Sequence, residues 1–464
     1  MKKTNILKIS VGFLLMMNTV QGQTFWPEDF ITEKASNKFT EVGTSRDGLN
    51  SPVDLDFNKK DSTELWVINM RSESIGGSTV TYRNVGKSNQ EAFHKVDGNS
   101  RHFMSLPTAL AFGDKGDWAN SPGVLDANFS NGQRAPFTGP SLWSSDFSIY
   151  AQYAGPGTNG SHLDMLHGSP YSAGIAWYKN NEYFVFDGYN GHVAMYDFAA
   201  DHGPGNSWHD DGRLRRYPEI SLKRLGLIPG HMEVDPQRKW LYVNDIGNKR
   251  IVRIDITSGS VKGTSTVRAS ETLAENVDME NVAWEVVANT GLERPCGLDV
   301  TNDRLIISDN GTSEIIVYDL TQSNGFPEMG RIKLTGFNDV MGLKLDYDGK
   351  IWFVDKSSKQ VVRIDNENVN RREPDGTFVG LEESNTVSFK VFPNPSTDYV
   401  TVSGFDKESV MVKVSDLSGR TVIHKKIGLN NALVNIKELN RGIYVLTLSD
   451  ETDSVIGSQR LYKH

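Results

Sequence analysis

Six short segments of this 464-residue chain repeat one pattern. They are Pro52-Val-Asp-Leu-Asp-Phe57, Pro107-Thr-Ala-Leu-Ala-Phe112, Ser172-Ala-Gly-Ile-Ala-Trp177, Pro229-Gly-His-Met-Glu-Val234, Pro295-Cys-Gly-Leu-Asp-Val300 and Val340-Met-Gly-Leu-Lys-Leu345. Most begin at a turn residue, and all continue with alternating apolar positions, the mark of a half-buried strand. Second strands follow at Glu64–Asn69, Glu182–Asp187, Trp240–Asp245, Arg304–Asp309 and Ile351–Asp355. Third strands follow at Ser78–Tyr82, His192–Asp197, Ile251–Asp255, Ile315–Asp319 and Val361–Asp365. A unit this small cannot bury its apolar face alone, so copies must stack on one another. Closing the stack into a ring removes the exposed sheet edges. Closure needs a strand from one end of the chain to complete a blade at the other, and Phe39-Thr-Glu-Val42 is placed to do so. The second unit shows no clear second strand between Asp114 and Leu142. Gly, Asn, Ser and Pro gather there and predict a loop insertion.

Composition narrows the function classes. The formal net charge of -9 argues against nucleic acid as a partner. The single cysteine, Cys296, excludes an intramolecular disulfide. It lies in an apolar strand start, where a buried inert thiol is expected. Lys2 and Lys3, the apolar stretch Ile6–Met17, and small residues at Val20 and Gly22 predict a signal peptide over 1–22. No other segment is long and apolar enough to cross a bilayer, so no transmembrane segment is expected after signal cleavage.

The stretch Tyr242-Val-Asn-Asp-Ile-Gly-Asn-Lys-Arg-Ile251, with repeat starts such as Pro295-Cys-Gly-Leu298, resembles the NHL repeat. That resemblance implies a six-bladed β-propeller. After residue 365 the pattern changes. Residues 366–387 are polar and read as a linker. Val391-Phe-Pro-Asn-Pro395, Val410–Val422 around Gly419, Leu439–Leu446 and the closing Arg460–His464 then follow in order. They resemble the C-terminal sorting domain of the type IX secretion system of Bacteroidetes-type bacteria. The resemblance implies a small β-sandwich over 388–464, recognised by the secretion machinery, and a product secreted or held at the cell surface. The expected organisation is therefore all-β: signal peptide 1–22, propeller 23–365, linker 366–387 and sorting domain 388–464.

Chemistry must be sought in particular side chains, because propellers carry unrelated activities. Asp187, Asp245 and Asp309 close second strands, where a carboxylate either caps a turn or faces a ligand. Six of the ten histidines fall between residues 162 and 231, interleaved with Asp164, Asp197, Asp201, Asp210 and Asp211. The loop Asp201–Gly212 is inserted after the third strand of unit three and is rich in His and Asp. Such a loop over a channel mouth suits a divalent ion, zinc for imidazoles or calcium for carboxylates. His162, His167 and His231 are the candidate metal ligands. Asp187-Gly-Tyr-Asn190 also resembles the Asp-Gly-Tyr segment of peptidyl-hydroxyglycine amidating lyases. That likeness implies Tyr189 as a catalytic base, with His231 within one position of a zinc ligand. Unit six carries Val340-Met341-Gly342 where those enzymes have a histidine. Two functions stay open: an exported propeller binding a ligand or partner through its loop-rich face, and a secreted metal-dependent lyase or hydrolase with its His/Asp cluster at the channel mouth.

Overall fold

The computed structural model describes residues 26–366 and 389–463, apart from 33, 129–135, 153–158, 207, 268–270, 302, 323–324, 405–408, 417–419, 429–431 and 451–454. The expected signal peptide and, apart from Asn366 at the end of β26, the expected linker lie outside the described residues. Contacts divide the chain into two units, residues 1–379 and 380–464.

The first unit is a six-bladed β-propeller. A short helix α1 (Pro27–Thr32) precedes strand β1 (Asn37–Gly43). Blade one is β2 (Pro52–Phe57), β3 (Leu65–Ser72), β4 (Gly76–Arg83) and β5 (Glu91–Lys95). After helix α2 (Ser100–Phe103), blade two is β6 (Pro107–Phe112), β7 (Asp117–Pro122), β8 (Ser141–Ser144) and β9 (Asp164–Met165). Blade three is β10 (Gly174–Lys179), β11 (Glu182–Asp187), β12 (His192–Asp197) and β13 (Arg213–Tyr217). Blade four has β14 (Met232–Asp235), β15 (Trp240–Asp245) and β16 (Arg250–Asp255). Its chain then leaves for a hairpin, β17 (Ser260–Thr264) and β18 (Glu275–Glu280), and returns as β19 (Trp284–Ala288). Blade five is β20 (Pro295–Thr301), β21 (Arg304–Asp309), β22 (Glu314–Asp319) and β23 (Glu328–Lys333). Blade six is β24 (Val340–Leu345), β25 (Ile351–Asp355) and β26 (Gln360–Asn366).

Strand β1 supplies the missing fourth strand of blade six, antiparallel to β26 with Phe39 opposite Ile364. The ring is thus closed by the segment expected to close it. The propeller departs most from expectation in blade two, whose second strand does exist, at β7. It hid because Asn120, Ser121 and Pro122 are polar or strand-breaking yet buried. Asn120 accepts a hydrogen bond from the Trp143 indole (2.6 Å) and donates one to the Phe103 carbonyl (3.3 Å). The expected insertion lies between β7 and β8, within the stretch that predicted it.

Among the described residues the propeller's buried side chains fall into six clusters, one at each blade–blade boundary. Trp66, Phe112 and Trp118 join blades one and two. Val185, Leu142 and Tyr196 join two and three. Phe186, Val243 and Met232 join three and four. Tyr242 and Leu305 join four and five, Ile306 and Phe353 join five and six, and Trp352 and Leu55 join six to one. Each blade is sandwiched on both faces, which is why its strands read as nearly continuous apolar runs. The β17–β18 hairpin belongs to unit four by sequence but pairs with blade three, β18 running parallel to β13.

The second unit is a small β-sandwich. A three-stranded sheet holds β27 (Lys390–Phe392), β28 (Tyr399–Ser403) and β31 (Leu433–Asn435). A four-stranded sheet holds β29 (Ser409–Asp416), β30 (Thr421–Gly428), β32 (Gly442–Ser449) and β33 (Val455–Lys463). Val391, Val400, Val402, Val412, Val414, Leu446 and Leu448 fill the core between the sheets.

Candidate functional site

The hub of the ring is built by the six repeats. Their third positions are Asp54, Ala109, Gly174, His231, Gly297 and Gly342. Only His231 is large, and its neighbours make room for it. A Cβ on Gly342 would collide with Asp54 Oδ1 and lie 3.0 Å from His231 Cε1. The His231 ring is wholly buried. Its Nε2 lies 3.0 Å from the Thr108 carbonyl and its Nδ1 3.4 Å from Asp54 Oδ1. Burial pushes it down to about 4, against the pull of the Thr108 carbonyl, so it is neutral at pH 7 and donates through Nε2.

The innermost strands present backbone N–H groups with no next strand to pair them. Carboxylates from the preceding blade take that place. Leu110 N–H donates to Asp54 Oδ2 (3.0 Å), Phe112 N–H to Asp56 Oδ2 (2.8 Å), and Leu345 N–H to Asp299 Oδ2 (2.7 Å). At the fifth repeat position, Lys344 pairs with Glu233 and lies 3.8 Å from Asp299. Asp299 is pushed up to about 6 by burial, with Lys344 opposing. A cavity of about 180 Å³ opens there among Asp56, Lys59, Trp177, Glu233, Lys344 and Tyr347.

A larger cavity, about 370 Å³, lies away from the hub. Its walls come from α2, the β7–β8 loop, both flanks of β9 and the β12–β13 loop. Strand β9 is the outermost of blade two, so this pocket opens on the rim. Four imidazoles line it: His102, His162, His167 and His209, with Arg101, Asn99, Asn128 and Asn159. Each ring is held by an oxygen. His102 donates to the Ala127 carbonyl, and burial pushes it down to about 4. His167 Nδ1 meets Glu271 Oε2 at 2.6 Å, and its backbone N–H donates to Glu271 Oε1 at 2.6 Å. His167 Nε2 is buried without a hydrogen-bond partner. His209 Nδ1 meets Asp164 Oδ1 at 2.6 Å. Burial works to lower His209, but the Asp164 carboxylate outweighs it and holds this imidazole above its ordinary value. Glu271 lies between β17 and β18, so the hairpin borrowed from unit four completes a pocket on blade two.

The predicted metal set is not brought together. His231 is the hub plug. His162 and His167 flank the rim strand, and the His/Asp-rich loop packs on that rim rather than over the channel mouth. His162 faces backbone carbonyls through both nitrogens, Asn159 at 2.9 Å and Asn206 at 3.0 Å. It stacks on Phe103 at 3.7 Å between ring centroids, and burial pushes it down to about 4. Of the three, His167 alone keeps a nitrogen without a partner. Tyr189 sits on the β11–β12 turn, 52 % exposed. Its backbone N–H donates to Asp187 Oδ1 and to the Pro170 carbonyl.

Asp187, Asp245 and Asp309 are fully buried, and their oxygens are spent on structure rather than offered to a ligand. Asp309 accepts from the backbone N–H groups of Glu293, Arg294, Gly311 and Thr312. Asp245 accepts from Lys223 N–H, Asn248 and Arg250. Asp187 accepts from Asn190 and from the buried Arg216 guanidinium at 3.0 Å. Asp245 and Asp309 tie their second strands to the crossover entering the blade, and Asp187 does so through Arg216, which also donates to the Gly168 carbonyl. His102, His202, His209, Asp164 and Glu271 are the site residues that sequence reasoning did not select. His202 and His209 lay inside the flagged loop, and Asp164 lay between His162 and His167. Glu271 gave no signal, because it meets His167 across 104 residues of chain.

Comparison with known proteins bears on the two units differently. No curated protein matches the chain. Among solved structures, an auxiliary nutrient binding protein from Bacteroides ovatus is 13 % identical, with 72 % of this chain and 77 % of that one covered and a TM-score of 0.46. Its counterpart from Bacteroides thetaiotaomicron is 13 % identical over 75 % and 76 %, with a TM-score of 0.44. A catalytically inactive virginiamycin B lyase from Staphylococcus aureus is 13 % identical over 71 % and 99 %, with a TM-score of 0.40. No helix among the described residues is long and apolar enough to cross a membrane. Residues 390–461 match the family described as the secretion system C-terminal sorting domain. The chain therefore carries a type IX sorting domain behind a β-propeller and is exported, to the cell surface or beyond it.

Proposed function

We propose that this exported propeller is a binding protein whose ligand enters the histidine-lined pocket on the rim of blade two. The observation that carries this reading is convergence. Four imidazoles and Arg101 meet on one cavity of about 370 Å³, and the buried Nε2 of His167 has no partner. A buried polar atom left unpaired costs about 1–3 kcal/mol, so it persists where something else can use it. The lining favours a small, oxygen-rich anion. Arg101 supplies charge, and Asn99, Asn128 and Asn159 supply amide donors. The pocket is walled by loops, in keeping with recognition through a loop-rich face.

The test is a panel of monosaccharides, amino acids, dicarboxylates and inorganic phosphate, read by melting temperature and by calorimetry. At least one dicarboxylate or phosphate is expected to raise the melting temperature. That gain should vanish in His167→Gln and in Arg101→Ala. Binding of equal strength in both variants, or no binding by any anion, would overturn the reading. A second reading, a metal-dependent lyase or hydrolase, is favoured by one observation only: Asp164, His202 and His209 gather beside the pocket.

A further inference from the structure

We propose that Asp164, His202 and His209 hold one divalent transition-metal ion of the zinc class, which staples the β12–β13 loop to the rim of blade two. One donor atom from each lies within 4.8 Å of the others. The residues come from two places: Asp164 from β9, and the two histidines from the loop between β12 and β13.

The arrangement of hydrogen bonds is what points to an ion. Asp164 Oδ1 is well used, accepting from Met165 N–H at 2.6 Å and meeting His209 Nδ1 at 2.6 Å. Its other oxygen is not. Asp164 Oδ2 lies 3.3 Å from His202 Nδ1, yet the two form no hydrogen bond and both are buried. On the far side of the same ring, His202 Nε2 lies 3.1 Å from Asp211 Oδ1, again without a hydrogen bond. The His202 side chain is 6 % exposed and that of Asp164 is fully buried. Four buried polar atoms thus face one another in pairs, at close range and at the wrong angles. A protein rarely tolerates this, since each orphaned group carries its full desolvation cost.

An ion between Asp164 and the two Nδ1 atoms resolves it. Two imidazoles and a carboxylate are the donor set of zinc and its neighbours, whereas calcium takes six to eight oxygens. With Nδ1 on the ion, His202 Nε2–H points at Asp211. A ligating histidine characteristically gives its second N–H to a carboxylate in this way. Backbone hydrogen bonds already bring the loop onto this rim. Gly205 N–H donates to the His162 carbonyl (2.9 Å), and the Asn206 carbonyl meets His162 Nε2. The inference shares His209 with the anion reading above, but Asp164 and His202 are not among the pocket's lining residues and His167 is not among the proposed ligands, so each reading can fail without the other.

The experiment uses the full chain, stripped with a chelator and titrated first with Zn²⁺ and then, separately, with Co²⁺. One zinc per chain is expected, with a rise in melting temperature that the chelator reverses. Cobalt should give visible d–d bands of a four- or five-coordinate nitrogen–oxygen site, without thiolate charge transfer. His202→Gln and Asp164→Asn should each weaken uptake at least tenfold and speed proteolysis within residues 198–212. His167→Gln should leave zinc uptake unchanged even if it abolishes anion binding, which separates the two readings. No stoichiometric uptake by the wild-type chain would overturn the proposal. So would uptake undiminished in both substitutions, or a preference for Ca²⁺. Should either variant fail to fold by circular dichroism, the wild-type stoichiometry and cobalt spectrum still decide.

Discussion

The hub makes a quantitative prediction about coupling. His231→Ala removes a fully buried ring and leaves the Thr108 carbonyl without its donor. The lost packing is worth about 2 kcal/mol, at the low end for large-to-small core changes. The orphaned carbonyl adds about 1–3 kcal/mol, less where water enters. The single variant should therefore lose roughly 3–5 kcal/mol. Gly342→Ala should lose about 1–3 kcal/mol by overpacking, because its new Cβ meets Asp54 Oδ1 and His231 Cε1. The two changes share one space. Without the ring, the Asp54 side chain can move away from the new methyl, so the double variant should cost at least 1 kcal/mol less than the sum. Urea unfolding followed by tryptophan fluorescence is the assay. All nine tryptophans lie before residue 367, so the signal reports the propeller and not the sandwich. Additivity within about 0.5 kcal/mol would refute the claim that His231 and Gly342 fit one hub.

Further expectations concern other parts of the molecule. His102 titrates at about 4 when folded against an unfolded value of 6.5, so its contribution to stability is full above 6.5 and is lost as the pH falls toward 4. The stability gap between wild type and His102→Asn should shift by about 2 kcal/mol in favour of the variant between pH 7 and 5, and a constant gap in urea unfolding would contradict this. Asp309→Ala orphans four backbone N–H groups and should lose at least 2–3 kcal/mol in the same assay, without weakening anion binding. Phe30→Ala empties a fully buried site between blades five and six and should cost about 3–5 kcal/mol. Removing residues 390–464 should trap the propeller inside the outer membrane, which cell fractionation would reveal.

The fold was legible because the repeat writes one strand many times over. The starts of β2, β6, β20 and β24 fall on the first residue of their repeated segments, and those of β10 and β14 fall within two or three residues. Strand β7 was not legible, since its buried positions are filled by polar groups that find partners only in the folded ring. The site was half legible. The histidine-rich loop stood out by composition, but its destination did not. Asp164 reaches His209 across 45 residues, and His167 reaches Glu271 across 104. No local pattern encodes such meetings. His231 stood out for its size among small residues, and the structure sets its ring in the hub against the Thr108 carbonyl and Asp54, apart from His162 and His167 on the rim.

The order of parts along the chain has a consequence for quality control. The seam of the ring joins residues 37–43 to residues 361–366, so the propeller cannot be sealed until nearly four-fifths of the polypeptide exists. The export label follows only after that, at residues 390–461. A ribosome that stops before residue 361 therefore yields a chain with neither a sealed ring nor a passport, and every chain that bears the passport already holds the strand that locks the circle.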